Sequence, residues 1–484
     1  MPPVLGDDFE EGGDGPFDAP LIIGTVIIMV IVLTAFNRMM ANYSYSPVSR
    51  GGGRSASTGE EAPDDEEASD GDCEQEQTDE ERMRKEIAKQ KGLIDALPGH
   101  TSLLDRAPHQ RKLGQLEFKY QLLLEKKRLA LVLLKFQDLY GALYSERCLM
   151  CLDDIHVHAA EGLVKYFFCC GGFICSDCSA DLRQPRCPLC REDLPTKDRG
   201  KRFLVKLAKR GVPWAQTTVG YSICFGIGGF EKDPERGVEW LNKAAAQNYP
   251  RALFVLFKLH RERLVPVLGK CQEEANKLLL KSANLGFGLA NIELAKCHSL
   301  VSDGFRKNSA EAYFRASVAF ALNEKDQQAA QTLGAFQNYE SIPEPSPYLA
   351  CHYLNIAANG DEDGIACHLY SDELLKLIER LHDGYIEIPG FDVIPAVLFW
   401  KRKSRDIGYS AGNEHLKQCE FAAKSHCGNC KKEAQGDEKF KQCSKCKAQW
   451  YCSKECQVEA WKAGHKKDCK SAGILNFEDY LDAE

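Results

Sequence analysis

The sequence predicts a mainly α protein: a solenoid of short helical repeats flanked by two small zinc-stabilised fingers, preceded by an apolar span and an acidic tether. Three observations predict it. Cysteines gather in closely spaced pairs in two separate stretches, 148–190 and 427–469. A pattern of small and apolar residues returns at intervals between those stretches, and one uncharged run stands near the N-terminus. At 484 residues, with 44% apolar and 27% charged composition, the chain is long enough for several domains. A formal net charge of -8 argues against general nucleic-acid binding, which needs a basic surface to displace counterions.

Residues 1–20 form an acidic tail with Asp7, Asp8, Glu10, Glu11, Asp14 and Asp18 and no Lys or Arg. Leu21 to Phe36 carries no charge and, extended by Ala19 and Pro20, reaches the roughly 17 to 25 residues of a membrane span. A secretory signal would begin with a basic region, and a buried core helix would have nothing beside it to pack on. The expectation is a single transmembrane helix over 21–40 in a membrane the sequence does not specify. Arg38, Arg50 and Arg54 then place the bulk of the chain in the cytosol. Residues 41–82 are Ser/Gly-rich and then acidic, a composition that cannot offset its chain entropy by burial, so a disordered tether is expected. Cys73 within it has no ligand partners. The segment 83–145 is expected to be helical, with good helix formers and no proline from Gln110 to Tyr144, packed on the adjoining finger or repeats.

The first finger spans 146–195. It reads Cys-Leu-Met-Cys, then Cys-Cys-Gly-Gly-Phe-Ile-Cys-Ser-Asp-Cys, then Cys-Pro-Leu-Cys-Arg. Two thiolates three positions apart close on one tetrahedral ion without strain, and a segment this short needs metal in place of a core. The remaining single cysteines, Cys224, Cys271, Cys297 and Cys351, read as small buried apolar residues in a reducing compartment.

The ligand order resembles a RING finger, an α+β unit holding two ions in a crossed arrangement. That resemblance implies Cys148, Cys151, Cys175 and Cys178 on one zinc, and Cys170, Cys187 and Cys190 on the other. RING fingers carry a histidine two residues after the third cysteine, where this chain has Gly172. Cys169 is the expected substitute, with His156 and His158 as alternatives. The resemblance also implies contact with a ubiquitin-conjugating enzyme through Met150, inside the first pair, and Arg191, just after the last cysteine.

Residues 203–411 carry the repeats. Ala215 to Ala252 reads Ala-Gln-Thr-Thr-Val-Gly-Tyr, then Gly226-x-Gly228, Asp233, Trp240 and Lys243-Ala244-Ala245. The pattern returns at Leu279–Ala283 with Ala290, at Phe314–Ser317, at Tyr353–Ala358 and, more faintly, at Trp400–Lys403. It resembles a Sel-1-like repeat, a tetratricopeptide-like pair of antiparallel helices in which Trp240 and Leu241 would fill the groove. One such repeat cannot bury its own face, so successive copies are expected to stack.

The last pattern, over 425–470, is Cys427-x2-Cys430, Cys443-x2-Cys446, Cys452-x3-Cys456 and His465-x3-Cys469. It resembles a MYND finger at every ligand position. The resemblance implies one ion on Cys427, Cys430, Cys452 and Cys456 and another on Cys443, Cys446, His465 and Cys469. Four Zn2+ ions per chain are expected in all. MYND fingers take short proline-containing peptides, which Gln457 and Trp461 would help to line. Residues 471–484 are expected to be an acidic tail.

The resulting functional reading is a membrane-anchored RING-type ubiquitin ligase that selects protein substrates through its repeats and MYND finger. A non-enzymatic adaptor is the alternative. A MYND-containing methyltransferase or transcriptional regulator ranks last, because no SET-type catalytic motif is present.

Overall fold

The computed structural model describes residues 71–98, 103–156, 164–182, 186–192, 197–265, 271–338, 342, 345–381, 394–436, 438–466 and 469. The first two helices, α1 (Gly71–Asp95) and α2 (Leu103–Tyr140), form an antiparallel hairpin. It is tied by Glu80 to Lys127, Arg84 to the Tyr120 hydroxyl, and Gln90 to His109. The expected tether therefore ends earlier than its composition implied. From Gly71 its residues are helical, and Glu80–Arg84 and Glu81–Lys85 pairs at i,i+4 support the helix.

The expected membrane span is corrected. Among the described residues no helix is long and apolar enough to cross a membrane. The run 21–40 itself lies outside the described residues, as do the tails 1–20 and 471–484.

The cysteine-rich unit follows α2. Strands β1 (Glu146–Arg147) and β2 (Asp154–Ile155) pair antiparallel, as do β3 (Val164–Tyr166) and β4 (Phe173–Cys175), and α3 (Ser176–Asp181) closes the unit. After α4 (Lys197–Lys209) come five helical pairs: α5 (Pro213–Phe225) with α6 (Pro234–Ala245), α7 (Pro250–Arg261) with α8 (Gln272–Asn284), α9 (Gly288–Leu300) with α10 (Ser309–Leu322), α11 (Gln327–Asn338) with α12 (Pro347–Asn359), and α13 (Ile365–Leu381) with α14 (Ile394–Ile407). The sequence dictates these starts. Proline stands in the first turn of α5, α6, α7 and α12, where its missing N–H costs nothing. Asp233, Asn308 and Ser346 cap α6, α10 and α12 by accepting the amides of Arg236, Glu311 and Leu349.

Small residues let paired helices meet closely. A Cβ on Gly237 of α6 would stand 2.4 Å from Cys224 Sγ and 2.7 Å from the Gly220 carbonyl oxygen of α5. Gly237→Val is therefore expected to destabilise the repeats by about 2 kcal/mol or more, of the order overpacking costs, read as a lowered urea midpoint. Leu241 is fully buried in this pair as expected, whereas Trp240 is only half-buried, with the Lys243 ammonium over its ring. Cys224, Cys297 and Cys351 are buried, but Cys271 is exposed because it stands ahead of α8 at the N-cap position rather than on its packed face.

Helix α2 lies along α10 and α12. Phe118 and Leu129 enter the repeat core and Phe136 packs by Phe314. The Tyr348 hydroxyl donates to Glu117, and that of Tyr353 to Glu125. Trp214 of α5 fixes the finger to the first pair: its indole N–H donates to the Gly171 carbonyl at 2.8 Å, and its ring meets Phe168 and Tyr166 edge-on. At the other end α15 (Asn413–Ser425) joins the repeats to the last finger. The buried Lys401 ammonium of α14 bonds Asp372 of α13 at 2.5 Å and His415 of α15 at 3.1 Å. Leu398 and Leu416 continue into the core of that finger, which contains β5 (Lys441–Gln442), β6 (Trp450–Tyr451), α16 (Lys454–Ala460) and a π-turn over Trp461–His465.

Candidate metal centres

Four Cys-x2-Cys hairpins share one backbone design. In each, the first cysteine's sulfur accepts the amides two and three residues on: Met150 and Cys151 for Cys148, Leu189 and Cys190 for Cys187, Asn429 and Cys430 for Cys427, Lys445 and Cys446 for Cys443. The residue after each second cysteine is left-handed, with φ of 65° at Leu152, 60° at Arg191, 59° at Lys431 and 53° at Lys447. Its amide returns to the first cysteine's carbonyl at 2.9–3.1 Å. These amides have an electrostatic consequence. Burial pushes the Cys148 and Cys427 thiols up, but the amides, including a third from Cys175 and Cys452 respectively, outweigh it and bring them down to about 6 and about 7. A sulfur so held is already disposed to the thiolate a metal requires.

Donor atoms converge in four groups. Cys148, Cys151, Cys175 and Cys178 lie with their sulfurs within 4.8 Å of one another, and so do Cys427, Cys430, Cys452 and Cys456. Cys443, Cys446, Cys469 and a ring nitrogen of His465 form a third set within the same limit, all four residues buried. Ligand bonds of about 2.3 Å for sulfur and 2.0–2.1 Å for nitrogen imply tetrahedral edges of about 3.8 Å between sulfurs and about 3.6 Å from sulfur to nitrogen. The separations agree: Cys148–Cys175 and Cys151–Cys175 are 3.9 Å, Cys430–Cys452 3.6 Å, Cys452–Cys456 3.5 Å and Cys443–Cys469 3.8 Å. His465 Nε2 stands 3.5 Å from Cys443 Sγ and 3.7 Å from Cys446 Sγ. Burial, with Lys445 nearby, lowers the His465 pKa and favours the neutral ring that can ligate. Zinc is the ion this geometry and these donors fit.

The fourth group is Cys169, Cys170 and Cys187, also within 4.8 Å, with Cys170 and Cys187 3.6 Å apart. Cys169 Sγ also faces the sulfur of Cys190, the second cysteine of the Cys187 hairpin. A Cβ on Gly172 would stand 2.7 Å from the Leu149 side chain, which would have to shift to admit one. The chain turns at 168–170, followed by Gly171 at φ 88°, and both adjacent cysteines reach the centre. Of the alternative ligands, His156 is exposed and outside the group, and His158 lies outside the described residues.

Met150 and Arg191 both face solvent on the hairpins of the first finger. Exposure reaches 41% at Met150, 66% at Leu152 and 65% at Leu189, so each hairpin presents bare apolar side chains. Leu152 and Leu189 escaped sequence reasoning; an apolar residue inside or just after a Cys-x2-Cys pair was their signal. In the last finger Trp461 is partly exposed and crosses His465 edge-on, Gln457 is half-buried, and Val458 beside it is exposed.

Residues 425–469 match the family of MYND fingers, and the match does not extend to the cysteine-rich stretch 146–192. Ubiquitin carboxyl-terminal hydrolase 16 of Arabidopsis thaliana is 46% identical over 43 residues, 9% of this chain and 4% of that protein. Ubiquitin carboxyl-terminal hydrolase 19 of the same plant is 34% identical over 86 residues, 16% of this chain and 12% of that protein. The chain thus spans only a small part of either relative. Among solved structures, a Sel1 repeat protein from Oxalobacter formigenes is 23% identical with a TM-score of 0.37, covering 46% of this chain and 86% of that one. The protective antigen c5321 of uropathogenic Escherichia coli, displaying an SLR fold, is 16% identical with a TM-score of 0.35, covering 57% of this chain and 58% of that one. The chain therefore carries a C-terminal MYND finger on an array of helical pairs, with a second cysteine-rich unit at the other end of the array.

Proposed function

We propose that this protein is a zinc-dependent RING-type ubiquitin ligase. The unit over 146–192 recruits a charged ubiquitin-conjugating enzyme, while the helical repeats and the MYND finger select the protein to be modified. The observation that carries this reading is the exposed apolar set Met150, Leu152 and Leu189, held on rigid metal hairpins where burial against a partner would be repaid. Cys148, Cys151, Cys175 and Cys178 hold one zinc in this reading, and Cys169, Cys170, Cys187 and Cys190 the other. Such a finger has no nucleophile of its own. It acts by holding the thioester of the conjugating enzyme in an attack-ready conformation, with the Arg191 donors directed at the bound ubiquitin. In the last finger, Gln457, Val458 and Trp461 line the site for a proline-containing peptide of the substrate.

Binding of the zinc-loaded full chain to a panel of conjugating enzymes tests recruitment. Met150→Ala is expected to weaken binding roughly tenfold to a hundredfold, about 1.4 to 2.7 kcal/mol. Failure of the wild-type protein to bind any member of the panel would leave no ligase. The departure at Gly172 favours a second reading, a non-enzymatic adaptor in which both fingers only dock other proteins.

A further inference from the structure

Helix α16 runs straight into the π-turn: Trp461 keeps helical angles, φ -61° and ψ -41°, and its amide still donates to the Gln457 and Val458 carbonyls. Residues three or four apart along it therefore share one side. Lys454, Val458, Trp461 and Lys462 fall there, with Val458 44% and Trp461 36% exposed, and Lys466 stands exposed just past the turn. The carboxylates of α16 are engaged elsewhere, Glu459 with the Asn429 amide at 2.8 Å and Glu455 with the Ser453 side chain. The face is thus apolar between cationic edges. Across 425–470 eleven lysines stand against six carboxylates, so the surroundings add to the positive potential rather than cancel it.

We propose that this face is the seat of the chain's own segment 474–484, whose carboxylates meet the lysines while its aromatic side chains cover Val458 and Trp461. Composition matches the two surfaces. Residues 471–484 carry Glu478, Asp479, Asp482 and Glu484 with no Lys or Arg, and Phe477, Tyr480 and Leu481 stand among them. Position brings them together. Cys469 converges with His465 on one metal centre, Lys445 lies near both, and the His465 ring is 5.9 Å from that of Trp461. The eight residues from Lys470 to Phe477 span up to roughly 26 Å, ample for that distance. The chain's other acidic stretches fit less well. The run Glu60–Glu67 has no large apolar side chain, and residues 1–20 are separated from Gly71 by fifty residues. The consequence rests on the reading of this face as the substrate-peptide site: the seated segment excludes that peptide until it is displaced.

The test couples carboxylates to amines in the zinc-loaded full chain with a zero-length carbodiimide and maps the joined peptides by mass spectrometry. The expected result is coupling of Glu478, Asp479 or Asp482 to Lys454, Lys462 or Lys466 within one molecule. A labelled synthetic peptide of residues 471–484 gives a second measurement, on the full chain and on a chain ended after Gly473 with its zinc count checked. A short tether holds the segment at an effective concentration on the order of 1 mM, so a free-peptide Kd of about 100 µM would make the full chain bind the label roughly tenfold more weakly than the shortened one. Lys462→Glu should weaken peptide binding severalfold at an unchanged zinc count, and so should raising salt from about 0.05 M to about 0.5 M. Equal affinity of the two chains, coupling of the segment only to lysines off this face or only between molecules, or coupling of this face to residues 1–20 would each overturn the proposal. None of these readouts involves ubiquitin or a substrate peptide. An inactive ligase therefore leaves the seated segment standing, and an unseated segment leaves recruitment through Met150 and Leu189 untouched.

Discussion

Removing zinc with a strong chelator is expected to unfold both fingers and leave the helical repeats standing. Neither finger has a core large enough to fold alone. Among the described residues the first buries Cys148, Phe167, Ile174 and Cys187 at its own centre, and about half of the second's buried core is its ligands and the helices beneath it. Structural zinc contributes on the order of 10–16 kcal/mol per ion in finger peptides, more than such small units otherwise possess. The repeats owe nothing to metal. Leu241, Leu279, Leu333 and Leu354 are fully buried between helices, and Phe118 and Leu129 of α2 add to that core. Far-ultraviolet circular dichroism should therefore retain most of its helical signal after chelation. Limited proteolysis should open new cuts within 146–192 and 427–469. Cooperative loss of the whole helical signal would mean that the fingers and repeats stand or fall together.

Truncating Arg315 is expected to be the most damaging single substitution in the repeats. Its side chain is 2% exposed, yet it carries a charge. That charge is matched by Glu311 at 2.7 Å, by the amide oxygens of Asn284 and Asn291 at 3.0 and 3.2 Å, and by the rings of Tyr140 and Phe136. Arg315→Ala would leave two side-chain amides and a carboxylate facing a cavity beneath the end of α2. Breaking a buried pair from one side costs about 3–5 kcal/mol, and the partial exposure of Glu311 places the expected loss toward the lower end. A thermal melt followed at 222 nm would show it. A shift near zero would mean that the buried charge is dispensable to the packing of α2.

The cysteine pairs were readable because metal geometry is local: a Cys-x2-Cys pair closes on one ion whatever surrounds it, and donors of the second finger converge in the two sets that the family resemblance implied. Helical pairing was readable for a related reason, since glycine and alanine recur where helices touch, as at Gly220 and Gly237. What escaped depends on contacts between distant segments. Arg315 looked like an ordinary repeat position because nothing nearby in sequence reveals Tyr140 or Asn284 beside it. Trp214 gave no sign that it would fasten the finger through the Gly171 carbonyl. Nothing in the sequence showed that Gly172 would stand against the Leu149 side chain twenty-three residues earlier. The helix from Gly71 was hidden by its composition, since an acidic run favours an extended chain unless lysines and arginines stand four residues on. The apolar run over 21–36 matched a span in length alone, and the described helices contain no span.

Discharge of a preloaded conjugating enzyme onto free lysine tests the proposed ubiquitin transfer most directly. With the zinc-loaded full chain present, discharge should be faster than the conjugating enzyme shows alone. Arg191→Ala should keep binding nearly unchanged while lowering that rate, the signature of a group used mainly in the transition state. Because Arg191 lies at φ 60°, Arg191→Lys serves as a control that preserves charge and backbone demand but not the guanidinium fork. Discharge unaltered by the wild-type protein, with all four zinc ions present and across the whole panel of conjugating enzymes, would rule out the ligase and leave the adaptor in its place.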